Sequence, residues 1–171
     1  MGGVTPLRPI LAGMGERAAL RMTEEEVAGF LAEGRRAQVA THNRDGSIHL
    51  VPMSYVLHDG RVTFWTAPDS RKVANLKADP RVTCLVETGD DFGSFRAVQM
   101  AGEASLHEDL ETSRRVGEEL FALTVGELSD DLRAYVARLA PDRVAITVAP
   151  TRVVSWDHRK LADLRPDQAG S

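Results

Sequence analysis

The spacing of polar and apolar positions changes period several times along the chain. In "TEEEVAGFLAE" the apolar residues Val27, Phe30 and Leu31 recur at helical spacing, and Thr23 stands three residues before Glu26, as in a capping box. Gly34 ends that helix. A period near two then takes over in "RRAQVATHN", "SIHLVPMSYVL" and "RVTFWTA", separated by the turns "NRDG" at 43–46 and "HDG" at 58–60. Short strands joined by Asn/Asp-Gly turns predict an antiparallel meander. Pro52 has no N–H to give to a ladder, so it predicts an edge position or a bulge in the second strand.

The stretch "SRKVANLKAD" predicts a short helix with Val73 and Leu76 inward, Asp69 or Ser70 as its cap, and Pro80 just past its end. "RVTCLVE" and "FRAVQMAGEASLHE" return to the strand pattern, the second bent at Gly102. Residues 109–140 read as one or two amphipathic helical segments, and "RVAITVAPTRVVSWDH" as two last strands broken at Pro150. Six or seven strands in hairpin order, with helices at the two longer connections, predict a mainly β fold: a small antiparallel barrel with peripheral helices.

A chain of 171 residues buries one core, so one domain is expected over residues 23–161. Residues 1–22 read as an arm and 162–171 as a loose tail. A net charge of −4 offers no basic surface to nucleic acid or anionic lipid. No apolar run approaches the roughly 20 residues of a membrane span. The single cysteine, Cys84, falls mid-strand as a small buried hydrophobe and fits a reducing, cytoplasmic setting.

Most catalytic signatures are missing: no G-x-S-x-G elbow, no C-x-x-C, no phosphate loop and no G-x-G-x-x-G. "HEDLE" starts like a zinc-protease motif but has Glu111 where a second histidine is needed, and the five histidines are scattered, so no metal site is expected.

The triplet Ser70-Arg71-Lys72 stands apart. A hydroxyl, a guanidinium and an ammonium at a helix start, beside free backbone N–H groups, suit an anion. The alternative is a solvated helix face. Thr66 of "VTFWTA" lies within reach of the same anion, and "HLVPMSY" provides an apolar backbone along which a flat ring can lie. A flat heteroaromatic carrying a phosphate is a flavin-type nucleotide.

"ATHNRDGSIHLVPMSYVLHDGRVTFWTAPDSRKVANLKADPRVTCLVE", "FRAVQMAGEASL" and "VVSWDHRKL", in that order, resemble the pyridoxamine-phosphate-oxidase-like split-barrel family, and within it the flavin/deazaflavin oxidoreductases. The resemblance implies a six-stranded split barrel forming a homodimer, with cofactor sites at the subunit interface. It implies that His49, Leu50, Val51, Pro52 and Met53 lie along the ring, that Trp65 and Thr66 flank it, and that Ser70, Arg71 and Lys72 hold the phosphate. From the partner subunit, Gln99, Trp156 and His158 are candidates to close the pocket.

Two departures refine the expectation. The oxidases carry an arginine-histidine cluster near the C-terminus for substrate phosphate, and "WDHRKL" matches only the final strand. Ala97 falls where the oxidases have a flavin-contacting glutamine. The subgroup resemblance favours the 8-hydroxy-5-deazaflavin coenzyme F-420 over FMN, and a hydride transfer to an activated C=C or C=N bond of a small acceptor. Tyr55 and His49 are the side chains considered for proton delivery, alongside solvent. The alternatives are an FMN-dependent oxidoreductase on the same scaffold and a non-catalytic flavin- or haem-binding dimer.

Overall fold

The structure is a computed structural model, and it describes residues 18–162. Helix α1 (Glu24–Glu33) leads into strands β1 (Arg36–His42), β2 (Ile48–His58) and β3 (Arg61–Thr66), then helix α2 (Arg71–Ala78). Strands β4 (Arg81–Thr88) and β5 (Arg96–His107) follow, then helices α3 (Leu110–Val125) and α4 (Asp130–Leu139), and finally β6 (Val144–Asp157). The six strands close into an antiparallel barrel in the order β1-β2-β3-β6-β5-β4. The mainly β fold with peripheral helices is therefore as expected.

The alternation of each strand sends one face inward. Val39, Tyr55, Phe64, Val86, Val98 and Ile146 fill the interior, each almost fully buried, and Cys84 joins them. Tyr55 and Phe64 meet edge to face, with ring centroids 6.4 Å apart. Burial pushes the Cys84 thiol up to about 12, as a small hydrophobe in an apolar core requires.

Each open end of the barrel is stopped by a helix. Helix α1 inserts Phe30 at one end, and its capping box forms as the sequence predicts: Glu26 N–H donates to Thr23 Oγ1 and Thr23 N–H to Glu26 Oε2. Helix α2 lies across the other end with Val73 and Leu76 in the core. With eight residues α2 is too short to persist alone, so burial of those two side chains, worth about 1.5–3 kcal/mol each, holds it in place.

Helix α3 covers one flank of the barrel wall, packing Val116 on Val56 and Ala145. His58 ties it down by Nδ1 at 2.9 Å from Glu119 Oε1. Further along β2 and β6, beyond α3, no helix of the described residues lies over Ile48, Leu50 and Val153, which stand 55%, 61% and 38% exposed.

The final strand corrects one expectation. Residues 144–157 form a single strand rather than two. Pro150 pairs with Gly102 at a bulge, which absorbs the missing N–H without breaking the ladder. A Cβ on Gly102 would collide with the Ala149 carbonyl oxygen, so the bend needs glycine there. Part of the expected arm also packs on this strand: Asp157 N–H donates to the Leu20 carbonyl at 2.8 Å, and Leu20 and Met22 are buried. Residues 1–17 and 163–171, the rest of the expected arm and tail, lie outside the described residues.

Candidate functional site

The barrel is split along β2. Its first half, Ile48–Ser54, pairs with β1 alone, whereas Tyr55–His58 pairs with β3. Pro52 lies in the one-sided half, opposite Gln38, so the edge position inferred from proline is where the chain places it. Tyr55 N–H donates to the Arg35 carbonyl and Asn43 N–H to the Ser47 carbonyl, which fixes the alternation. Residues 49, 51 and 53 turn their backbone groups to β1, and residues 50, 52 and 54 turn theirs to the open edge. The side chains alternate as well. Met53 packs on the core on the same face as His49 and Val51, while Leu50 and Pro52 stand exposed on the outer wall.

At the end of this edge, α2 begins. Consecutive helical residues point about 100° apart, so Ser70, Arg71 and Lys72 do not converge on one point. Lys72 turns to β3 and its ammonium donates to Thr66 Oγ1 at 3.0 Å. Burial lowers the Lys72 pKa, since no carboxylate offsets the loss of solvent. Arg71 turns the other way, into a cavity of about 880 Å³ that His49, Arg44, Asp45, Asp69 and Asn75 also line. Ser70 occupies the N-cap position but makes no capping bond, and its buried hydroxyl has no partner among the described residues. The first-turn N–H groups of α2 are accordingly left without a side-chain cap. An orphaned hydroxyl, uncapped N–H groups and a partly desolvated ammonium fit a phosphate.

Two expected roles are corrected. Tyr55 points into the core at 1% exposure, and its hydroxyl donates to the Leu31 carbonyl at 2.6 Å. Burial pushes that phenol up to about 12, and no ligand on the open edge reaches it, so Tyr55 is not a proton donor to an acceptor. The Trp65 side chain lies under α3, not beside the open edge. Its indole N–H donates to Ser113 Oγ at 2.9 Å, and its ring fills the space a side chain at Gly117 would need.

Gln99, Trp156 and His158 lie apart from the helix start. His49, Thr41, Val82 and Gly102 share one level around the barrel, whereas Trp156 pairs with Ala97, five residues further along β5. That is about 17 Å along the strand. Gln99 pairs with Val154 between these levels. Trp156 and His158 form an aromatic cluster with Phe92 and Phe95, and the Phe92 and His158 rings lie 4.5 Å apart. His158 Nδ1 lies 2.6 Å from the Phe92 carbonyl oxygen; a carbonyl only accepts, so Nδ1 carries the proton in that contact.

Arg44, Asp45 and Asn75 were not singled out by the sequence. Asn75 is four residues beyond Arg71 on one helix face, a signal that was available. The "NRDG" stretch reads only as a turn, and nothing local reveals that it folds against the start of α2.

A family profile described as pyridoxamine 5'-phosphate oxidase matches residues 23–157. The chain belongs to that family of split-barrel proteins. A solved structure of a conserved hypothetical protein of Mycobacterium tuberculosis, Rv2991, is 36% identical, with 85% of this chain and 91% of that chain covered and a TM-score of 0.81. An F420 reductase shares 23% identity over 73% of this chain and 93% of its own, with a TM-score of 0.55. HutZ, a haem storage protein of Vibrio cholerae, shares 19% identity over 78% and 94%, with a TM-score of 0.58. No curated protein sequence gives a significant match.

Proposed function

We propose that this protein is a reductase that binds the deazaflavin coenzyme F-420 between two copies of the chain and uses it to reduce an activated C=C or C=N bond of a small molecule. One observation carries the reading: the unpaired edge of β2 runs up to an uncapped helix start whose Ser70 hydroxyl is buried without a partner. The edge presents carbonyl groups at residues 50, 52 and 54 and N–H groups at 50 and 54. A pyrimidine-dione ring edge alternates the same two kinds of group, so it complements this backbone. The helix start then receives the phosphate at the end of the ribityl chain.

When bound, the reduced deazaflavin supplies a hydride from ring carbon C5. The chain supplies the rest. Ser70 and Lys72 anchor the phosphate, and the β2 backbone sets the plane of the ring. Leu50 and Pro52 give the ring an apolar wall on the outer face. A second copy seated on the bare flank covers Ile48, Leu50 and Val153 and brings its own Gln99, Trp156 and His158 toward the ring, which the 17 Å separation (about that span along β5) prevents within one chain. Enclosure by that copy excludes water from the transferred hydride. With Tyr55 buried, protons reach the acceptor from solvent or from His49.

The F420 reductase among the structural neighbours and Ala97 in place of a flavin-contacting glutamine favour the deazaflavin. FMN on the same scaffold is the nearest alternative. A haem-carrying dimer is the second reading, favoured by one contact: the Phe92 carbonyl holds the proton on His158 Nδ1 and leaves Nε2 as a ligand atom. Fluorescence titration of the apoprotein with FMN, FAD and F-420 side by side tests these readings. Tight binding of F-420 alone is the expected result, together with oxidation of the separately prepared reduced coenzyme when an enone is added. Preference for FMN would move the protein to the flavin alternative. A Soret band with no flavin binding would replace the reading with haem.

A further inference from the structure

Helix α2 carries the phosphate-binding groups at its start, and much of what holds it is not directional. Val73 and Leu76 bury apolar side chains in the core, a contact that tolerates a small slide or rotation of the helix. Eight residues without a side-chain cap have little stiffness of their own. The angle of α2 therefore depends on the polar side chains that reach from it to the rest of the barrel. Lys72 reaches Thr66, but a bound phosphate would draw it away. Lys77 pairs with Glu108 at 2.7 Å, where both side chains are more than half exposed and solvent screens the contact.

Asn75 is different. It is polar yet only 5% exposed, and its amide donates twice: Nδ2 gives one hydrogen to Thr41 Oγ1 at 3.1 Å and one to Asn43 Oδ1 at 2.9 Å. Thr41 is a buried residue near the end of β1, and Asn43 opens the β1–β2 turn. One side chain thus ties the helix to a barrel strand and to the turn beyond it. The orientation of the amides is set from the far end of the chain of bonds. The Asp45 carboxylate only accepts, so Ser47 Oγ donates to it at 2.6 Å. Ser47 Oγ in turn accepts from Asn43 Nδ2 at 3.0 Å, which leaves Asn43 Oδ1 turned to Asn75 as an acceptor. Two donors on one short arm are what the two acceptors require; serine would offer one donor and alanine none.

We propose that Asn75 is a positioning residue for the phosphate site: its bonds to Thr41 and Asn43 fix the angle of α2, and so hold the Ser70 hydroxyl, the first-turn N–H groups and the Lys72 ammonium where a phosphate can take them together. The inference rests on the reading of the helix start as the phosphate site. Asn75 lies five residues past Ser70, about 7.5 Å along the helix axis, so it acts through the helix rather than on the phosphate. A binding constellation works only when its supporting hydrogen bonds hold it to within about 0.5 Å, and hydrogen bonds, unlike apolar contacts, impose a direction.

The test uses two probes that differ only in the phosphate: 8-hydroxy-5-deazaflavin with a ribityl chain ending in a hydroxyl, and the same molecule phosphorylated at that end. Both are titrated by fluorescence into the wild type, Asn75→Ala and Thr41→Val. Thr41 is 1% exposed and does not line the cavity at the mouth, so no ligand touches it, and its loss acts on the site only by freeing Asn75. The quantity read is the ratio of the two affinities. Partial unfolding of a variant weakens both probes by the same factor and leaves that ratio unchanged. In the wild type the phosphorylated probe is expected to bind about a hundredfold tighter. Asn75→Ala should cut the ratio to about tenfold, and Thr41→Val should lower it less, since the bond to Asn43 remains. The unphosphorylated probe should bind all three proteins alike. An undiminished ratio in Asn75→Ala would make Asn75 a structural residue only and overturn the inference, with the phosphate reading left standing. A lowered ratio in Asn75→Ala beside a full one in Thr41→Val would also overturn it, because Asn75 would then be touching the ligand itself. Should Asn75→Ala fail to fold, the ratio in Thr41→Val decides alone. A wild-type ratio near one, or no binding of either probe, would overturn the reading of the helix start and this inference with it.

Discussion

The two ends of the barrel are stopped by the same device, a helix laid across the opening, and they settle their polar groups in opposite ways. Under α1 every relevant group has a partner: the capping box closes on Thr23 and Glu26, and the Tyr55 hydroxyl donates to the Leu31 carbonyl. Under α2 the apolar contacts are as complete, with Val73 at 0% and Leu76 at 4% exposure. The polar groups there are not: Ser70 has no partner, Lys72 is partly stripped of water, and Arg44 and Arg71 face a cavity. Packing alone does not separate a structural end from the end proposed to bind the cofactor. The accounting of hydrogen bonds and charges does, because a buried polar group without a partner costs about 1–3 kcal/mol unless a ligand supplies one.

The largest effect is expected at the closed end. Phe30→Ala removes the aromatic plug of the core and should destabilise the protein by about 3–5 kcal/mol in urea unfolding, with cofactor affinity unchanged at temperatures where the variant is folded. A loss of affinity equal to that of a mouth variant would erase the distinction between the two ends.

Next comes Lys72→Met. It should weaken cofactor binding ten- to hundredfold, as expected for a hydrogen bond to a charged group, while leaving the apoprotein as stable as the wild type or more so. The pH dependence carries the sign. Burial lowers the folded pKa of Lys72 below its ordinary 10.5, so between the two values the unfolded chain holds a proton that the folded chain has released. Apoprotein stability should therefore rise with pH through that window, and Lys72→Met should flatten the rise. A fall over the same range would mean that an anionic group pairs with Lys72 in the apoprotein, in addition to its bond to Thr66.

Much of this was legible in the sequence because it is local. The capping box, the period-two runs, the turns, the position of Pro52 and the start of the helix after Ser70 follow from neighbours within a few residues. What the sequence left open depends on contacts across the barrel. Tyr55 sits in a strand that changes partner at that residue, so whether its side chain faces the core or the outer wall needs the register. Trp65 reads as a ring neighbour until α3, which begins 45 residues later, is seen to cover it. Pro150 reads as a break until Gly102, on another strand, is seen to absorb it. Arg44 reads as turn filler until the turn is folded against α2.

The smallest effects make the sharpest comparison, because two hydroxyls are removed and one rule of thumb gives the wrong sign. Tyr55→Phe at the closed end takes away a made hydrogen bond and strands the Leu31 carbonyl, so a loss of about 1 kcal/mol is expected, with no change in cofactor affinity. Ser70→Ala at the mouth replaces an N-cap serine, which by position alone should also cost about 1 kcal/mol. Here the serine makes no cap bond, and its hydroxyl is buried without a partner, so alanine removes a penalty rather than a contact. The apoprotein should be unchanged or slightly more stable, and the cost should appear only as weaker cofactor binding. Urea unfolding of both variants with and without cofactor separates the cases. If Ser70→Ala loses about as much stability as Tyr55→Phe without any ligand, the hydroxyl is working as a helix cap in solution, and the mouth of the barrel is as self-sufficient as its closed end.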